Sequence, residues 1–248
     1  MTSERIEIDT GTPTLLCAVE ARVATITLNR PAARNALSDE LTPALRRTIA
    51  AMSEDRRVGA LVLTGTGTAF CAGGDIKSMG SSTAGSRALT PAARRAQLKV
   101  RQRTLTGRLM GLRKPTIAAL PGAAAGAGLS IALACDMRIA ARSAFVTTGY
   151  ARIGLSGDYG IAWNLTRLVG TARARELMFT AERVNAERCE RLGLVNRVVD
   201  DEQLALEVAK LARSLAQGPG AAFAAMKDNL DDALDVAFLT ALDREADR

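Results

Sequence analysis

Apolar residues run along the chain in short blocks punctuated by Gly, Pro, Asn and Asp, a rhythm that predicts alternating strands and helices. Leu15–Val19 and Val23–Leu28 flank Ala21-Arg22 and predict two short paired strands. Asn29-Arg30-Pro31 ends the second, and Arg34-Asn35-Ala36-Leu37 leads into a helix capped by Ser38 and running to about Met52. Val58–Thr64 predicts a buried strand, followed by a turn-rich loop over Gly65–Gly74 and a Ser/Gly-rich stretch over Gly80–Ala88 that reads as mobile. A long basic helix is expected over Pro91–Met110, then strands at Thr116–Leu120, Met137–Ala140 and Ala144–Thr148. A loop over Gly149–Asp158, a helix over Gly160–Val169 and a strand at Val195–Val199 come next, with helices over Glu202–Ala216 and Ala221–Asp247. The pattern is strand-strand-helix repeated, then helices, without repetition of the residues themselves.

Leu120–Asp136 stands apart. A Pro121-Gly122 turn signal passes into small residues around Gly126 and Gly128, then into the apolar run Leu129–Ala134. Glycines at such a junction allow close approach of a backbone to a ligand, and a helix starting there aims free N–H groups and its positive dipole end at that ligand. The stretch therefore reads as a backbone-built site for an oxygen carrying negative charge. Two plainer readings are a membrane span over Pro115–Cys135, which Pro121 and the glycines interrupt, and tight helix–sheet packing by small residues.

Composition narrows the chemistry. The 248 residues are 48% hydrophobic and 3% aromatic, enough for one large domain with a core of Ala, Leu, Val and Ile. Cys17, Cys71, Cys135 and Cys189 are far apart and read as reduced core thiols, and the polar Met1–Asp9 shows no secretory signal, so the expected compartment is cytoplasmic. Histidine is absent, which excludes Ser-His-Asp and Cys-His machinery and His-based metal sites. Acid–base work falls to carboxylates, Tyr, Lys or Cys. The net charge of +7 suits an anionic ligand. The arginines are scattered, and no nucleic-acid motif accompanies them, so nucleic acid is a poor candidate partner.

Four stretches, Leu28–Leu37 (LNRPAARNAL), Phe70–Met79 (FCAGGDIKSM), Pro121–Asp136 (PGAAAGAGLSIALACD) and Arg191–Val199 (RLGLVNRVV), resemble in order and spacing the signatures of the enoyl-CoA hydratase/isomerase (crotonase) superfamily. The resemblance implies an α/β fold, a crotonase-like spiral of ββα repeats over residues 1–195. A C-terminal α-helical segment over 196–248 would build a homotrimer or dimer of trimers. It also implies an acyl-CoA thioester ligand and no metal or cofactor beyond the CoA moiety. By register, backbone N–H groups of Gly74 and Ala127 would hold the thioester oxygen. The CoA would lie near Arg30, Arg34, Ala36, Ala72, Asp75 and Ile76, with Asp75 read equally as a loop-organising carboxylate. Asp136 is read as structural.

The sequence departs from the family where a hydratase has two glutamates. Those positions fall at Ser130 and, within one residue, Tyr150. Ordinary two-glutamate hydration is therefore in doubt. Ser130 is read as space-filling at the substrate pocket and Tyr150 is left open. Asp158, in Gly154–Gly160, occupies the position of a working aspartate in dienoyl-CoA and epoxide-type acyl-CoA isomerases of the superfamily. Its plainer reading is an N-cap for the helix near Gly160. A dehalogenase of this superfamily would need a histidine as well. The expected function is thus an enzyme acting on the C=C bond of an unsaturated acyl-CoA, isomerase-like, with Asp158 as acid–base group. The alternative is a catalytically silent acyl-CoA or fatty-acyl binder on the same fold. Members of the family usually continue with a basic-aromatic tail; here Lys227 and Arg244 read as solvated helix faces rather than substitutes for it.

Overall fold

The computed structural model describes residues 4–75 and 90–248. Ile76 and the Gly80–Ala88 stretch lie outside the described residues. In chain order the first elements are β1 (Ile6–Glu7), β2 (Leu15–Glu20), β3 (Val23–Leu28), α1 (Leu41–Glu54), β4 (Ala60–Gly65) and β5 (Ala69–Cys71). They are followed by α2 (Pro91–Arg103), α3 (Thr106–Gly111), β6 (Thr116–Leu120), β7 (Ala123–Ala125), α4 (Ala127–Leu133), β8 (Met137–Ala141) and β9 (Phe145–Thr147). The chain closes with α5 (Ile161–Thr180), β10 (Val184–Asn185), α6 (Ala186–Arg191), β11 (Arg197–Val199), α7 (Leu204–Ala216), α8 (Gly220–Asp235) and α9 (Phe238–Asp247).

Two sheets result. The larger has the order β1-β2-β3-β4-β6-β8-β11, antiparallel through β3 and parallel beyond it. The smaller has the order β10-β9-β7-β5, and β5, β7 and β9 run parallel. The β2–β3 turn forms as expected, with Ala21 and Arg22 both at positive φ (48° and 64°), the twist that suits a two-residue hairpin. Alternation assigns the faces: Cys17, Ile26 and Leu63 are cross-strand partners in turn and all are buried. Helix α1 lays Leu41, Leu45, Ile49 and Met52 into the core at helical spacing, and the Ser38 hydroxyl accepts the Leu41 N–H at 3.1 Å.

Several expectations need correction. The loop over Gly65–Gly74 contains β5, and β7 follows the Pro121-Gly122 turn; both are three-residue strands whose small side chains show no alternation. The basic helix ends at Arg103. Its α2 part buries nothing, whereas the break at Thr104-Leu105 lets Leu105 and Leu109 enter the core. The C-terminal helix breaks at Val236, and Arg244 and Arg248 on the α9 side both pair with Asp232 on α8 at 2.6 Å. Lys227 is not a solvated side chain: it donates to Asp136 in an ion pair of 2.7 Å, and Asp136 also accepts the backbone N–H and the hydroxyl of Thr116. The structural reading of Asp136 is met, with α8 as its unexpected partner.

Candidate active site

The small sheet creates the site because three parallel strands end side by side. Strand β5 runs into Ala72–Asp75, β7 into Gly126 and α4, and β9 into Gly149-Tyr150. Carboxyl ends of adjacent parallel strands are where open α/β sheets offer a crevice. Close approach is built into the sequence at Gly128: a Cβ there would sit 2.3 Å from the Cys71 carbonyl oxygen. At Gly73, whose φ is 92°, a Cβ would come within 2.8 Å of the Ala125 oxygen and 3.5 Å of the Ala127 nitrogen. Two glycine-rich loops that are about fifty residues apart in sequence are thereby pressed together.

The orientation of both N–H groups follows from hydrogen bonding. Leu37 N–H donates to the Gly73 carbonyl at 2.8 Å and Asp75 N–H donates to the Leu37 carbonyl at 3.0 Å. In such a parallel bridge the middle residue, Gly74, turns its own N–H to the other side. Ala127 is the first residue of α4, where the geometry of a helix leaves the N–H without an intrahelical acceptor. The Gly126 carbonyl takes the first helical bond, from Ser130 N–H, at 3.0 Å.

Of the residues that the resemblance assigns to CoA, the described ones lie around the same bridge. Ala72 N–H donates to the Arg34 carbonyl at 3.0 Å, and the Arg30 guanidinium donates to the Ala36 carbonyl at 2.5 Å and pairs with Asp75 at 3.1 Å. Asp75 therefore organises the loop, as one of its two readings held. Asn35 was missed as a site-building residue. It is fully buried at φ 57°, accepts Arg30 N–H at 2.8 Å, and donates to the carbonyls of Thr66 and Ala69. Asn tolerates that backbone region and carries both donors and an acceptor, which was the available signal.

Asp158 sits in a turn between Gly157 (φ 115°) and Gly160 (φ 82°), with Tyr159 at φ 51° between them. A tyrosine in the left-handed region is uncommon. It is held by its buried ring and by its N–H, which donates to Gln102 Oε1 of α2 at 2.9 Å. Gln102 gave no signal in the sequence. The Asp158 carboxylate does not cap α5, correcting the plainer reading: it accepts the Tyr150 hydroxyl at 2.6 Å, while only its carbonyl receives a helix N–H, from Ile161. The Ser130 hydroxyl lies 3.2 Å from the Tyr150 hydroxyl, 3.1 Å from the Asp158 carbonyl and 3.3 Å from the Gly126 carbonyl. Ser130 is thus more than space-filling, and Ser130 and Tyr150 are both tied to Asp158.

Burial raises the Asp158 carboxyl above its ordinary range, and the Tyr150 hydrogen bond opposes part of that rise. Tyr150 is itself pushed far above the usual phenol range, first by burial and then by the Asp158 charge. The cysteines are free and buried, as expected; burial lifts Cys17 to about 11 and Cys71, Cys135 and Cys189 to about 12. They are poor nucleophiles in that state. Among the described residues no group of three or more His, Cys, Asp or Glu is placed to hold a metal ion, and no helix is long and apolar enough to cross a membrane. A separate cavity of about 390 Å³ lies between the large sheet and α7, lined in part by Thr25, Val62, Thr64, Leu204 and Val208. Neither Gly74, Ala127 nor Asp158 borders it.

Known proteins share this arrangement of chain. The family model described as enoyl-CoA hydratase/isomerase matches residues 18–248. A 1,2-epoxyphenylacetyl-CoA isomerase of Escherichia coli is 37% identical over 234 residues, covering 94% of this chain and 87% of the relative. A solved structure from Pseudomonas aeruginosa superposes with a TM-score of 0.86 at 40% identity, covering 94% of this chain and 97% of the other. That of an enoyl-CoA hydratase from Bacillus anthracis gives 0.83 at 31% identity, covering 91% and 85%. The α/β crotonase-like fold expected from the motifs is therefore the fold of this protein. The chain belongs to the enoyl-CoA hydratase/isomerase family of the crotonase superfamily, whose members are enzymes with lyase or isomerase activity.

Proposed function

We propose that this protein isomerises an unsaturated acyl-CoA thioester, moving its C=C bond through an enolate. The thioester oxygen would be held by the backbone N–H groups of Gly74 and Ala127, where the carbonyl gains negative charge as the α-carbon loses its proton. Asp158 would take that proton and return it at the far carbon of the dienolate, so that no atom is gained or lost overall. Arg30, Arg34, Ala36, Ala72, Asp75 and Ile76 would border the CoA moiety, with Arg30 and Arg34 facing its phosphates. Neither a metal nor a redox group enters such a reaction.

One observation carries the proposal. The carboxylate of Asp158 accepts the Tyr150 hydroxyl, beside which Ser130 lies, and by the family resemblance Ser130 and Tyr150 would occupy the places of the two glutamates that hydration uses. One carboxylate suffices for a proton shuttle, whereas adding water across a double bond needs a base and an acid at separate points. The relative named as a 1,2-epoxyphenylacetyl-CoA isomerase supports the same side of the choice. A homotrimer or dimer of trimers, built by residues 196–248 from a core over 1–195, is proposed as the assembly in a cytoplasmic setting. In its favour, Leu230, Leu234, Phe238, Leu239 and Leu242 on α8 and α9 are exposed apolar side chains.

The test is mass spectrometry of 2-enoyl- and 3-enoyl-CoAs incubated with the protein in D₂O. Deuterium gained at carbon without added water, and lost in Asp158→Asn, is the expected result. Addition of water would overturn isomerisation, and binding without change in any acyl-CoA would favour a silent binder.

A further inference from the structure

We propose that Tyr150 is a positioning residue for this chemistry: its hydroxyl, backed by Ser130, pins one carboxylate oxygen of Asp158, so that the other oxygen alone takes up and returns the proton. The inference rests on the reading of Asp158 as the acid–base group and adds how that group is oriented.

A phenol has one hydrogen, and an ionised carboxylate only accepts. At 2.6 Å from Asp158 Oδ1, the Tyr150 hydrogen is committed to that oxygen. The Ser130 hydroxyl lies 3.2 Å behind the phenol oxygen; it has one hydrogen, for which that oxygen and the carbonyls of Asp158 and Gly126, at 3.1 and 3.3 Å, are the acceptors in reach. The donor to the carboxylate is Tyr150, and Ser130, Tyr150 and Asp158 form one cluster. Its members come from α4, from the 3-10 turn Tyr150–Ile153 and from the turn before α5, so the three elements are stapled at the carboxylate.

The direction of the Tyr150–Asp158 bond survives protonation of Asp158. A neutral carboxyl still has a carbonyl oxygen, and the phenol, which burial keeps protonated, goes on donating to Oδ1. The new proton therefore resides on Oδ2. A single oxygen then serves both carbons of the substrate, which keeps removal and return on one face of the acyl chain. The charged groups nearby do not compete for this role: Arg46 and Arg101 act on the hydroxyl of Tyr159, and among the described residues Tyr150 supplies the hydrogen bond that favours ionised Asp158.

The experiment is a ¹³C-carboxyl NMR titration of Asp158 in the wild type, Tyr150→Phe and Ser130→Ala, with Asp158→Asn to assign the resonance, alongside kcat and KM on a 3-enoyl-CoA. In Tyr150→Phe the Asp158 midpoint should rise by about one pH unit, because a bond to the ionised form is lost. The acid limb of kcat should move with it, and kcat should fall about tenfold, with KM changed less than about threefold. Ser130→Ala should move the midpoint the same way by less, and it carries the test if Tyr150→Phe does not fold. An unmoved midpoint overturns the proposal, as does a moved midpoint with unchanged kcat. Turnover retained in Asp158→Asn would instead overturn the acid–base reading of Asp158; the titration needs no turnover and judges Tyr150 separately.

Discussion

The candidate site has two halves made by different means. One is backbone: Gly74 and Ala127 offer N–H groups whose directions are set by the Leu37 bridge and by the first turn of α4. The other is side chain: Ser130, Tyr150 and Asp158 form a hydrogen-bonded trio at the end of the neighbouring strand. In the backbone half residue identity matters through what must be absent, since a Cβ at Gly128 would strike Cys71. In the side-chain half residue identity matters through the groups present, and on the proposed reading changing one atom of Asp158 would change what the site can do. Polarisation of a thioester is needed by any reaction of this type, whereas the set of acids and bases chooses the reaction.

The comparison breaks most visibly at Asp158. Asp158→Asn is expected to lower turnover about 10³-fold while acyl-CoA affinity, measured by calorimetry, stays within a few-fold, because general acid–base groups contribute 10²–10⁴. Next comes Gly128→Ala, which presses a methyl to within 2.3 Å of a main-chain oxygen. Overpacking there should cost about 1–3 kcal/mol in urea unfolding and weaken binding and turnover together. A smaller loss, about 1–2 kcal/mol, is expected for Lys227→Met, which leaves Asp136 without its ion pair near the end of α4. Saturated turnover should be nearly unchanged, which separates support of the backbone half from participation in the chemistry.

The finest test uses pH. Burial raises the carboxyl of Asp158 in the folded chain, so the native state holds this proton more tightly than the unfolded state does. Its contribution therefore favours folding less and less as pH climbs from the unfolded value, about 3.9, through the raised native value, and the full penalty stands above that. Asp158→Asn should raise Tm at neutral pH, and the gain should vanish as pH falls towards about 4. A gain independent of pH would mean that the carboxyl is not strained by burial.

Much of the frame was legible in the residues. The β2–β3 hairpin followed from two apolar blocks around a polar pair, strand Thr116–Leu120 from a bounded apolar run, and the α4 junction from its glycines. The motif register led to Gly74, Ala127 and Asp158 without coordinates. Strands β5 and β7 escaped because Ala-rich triplets have no inside and outside to alternate. Leu105 escaped because its neighbours on α2 are solvated and disguise a break as a continuous basic helix. Asn35 and Gln102 escaped because a side chain that binds distant backbone leaves no periodic trace.

By itself, the sequence determined which chemistry was open. Without histidine, acid–base work was left to carboxylates, Tyr, Lys or Cys, and the resemblance of the motifs pointed to Asp158 among them. Local patterns and residue types carry that information, since each concerns a single position or a short run. Only the tertiary structure decided that β5, β7 and β9 end together, that the Gly74 N–H turns away from Leu37, and that Tyr150 donates to Asp158 rather than standing apart from it. The first two are relations between segments far apart along the chain and the third closes a turn of eight residues, and all exist only once strand pairing and close packing have set the distances.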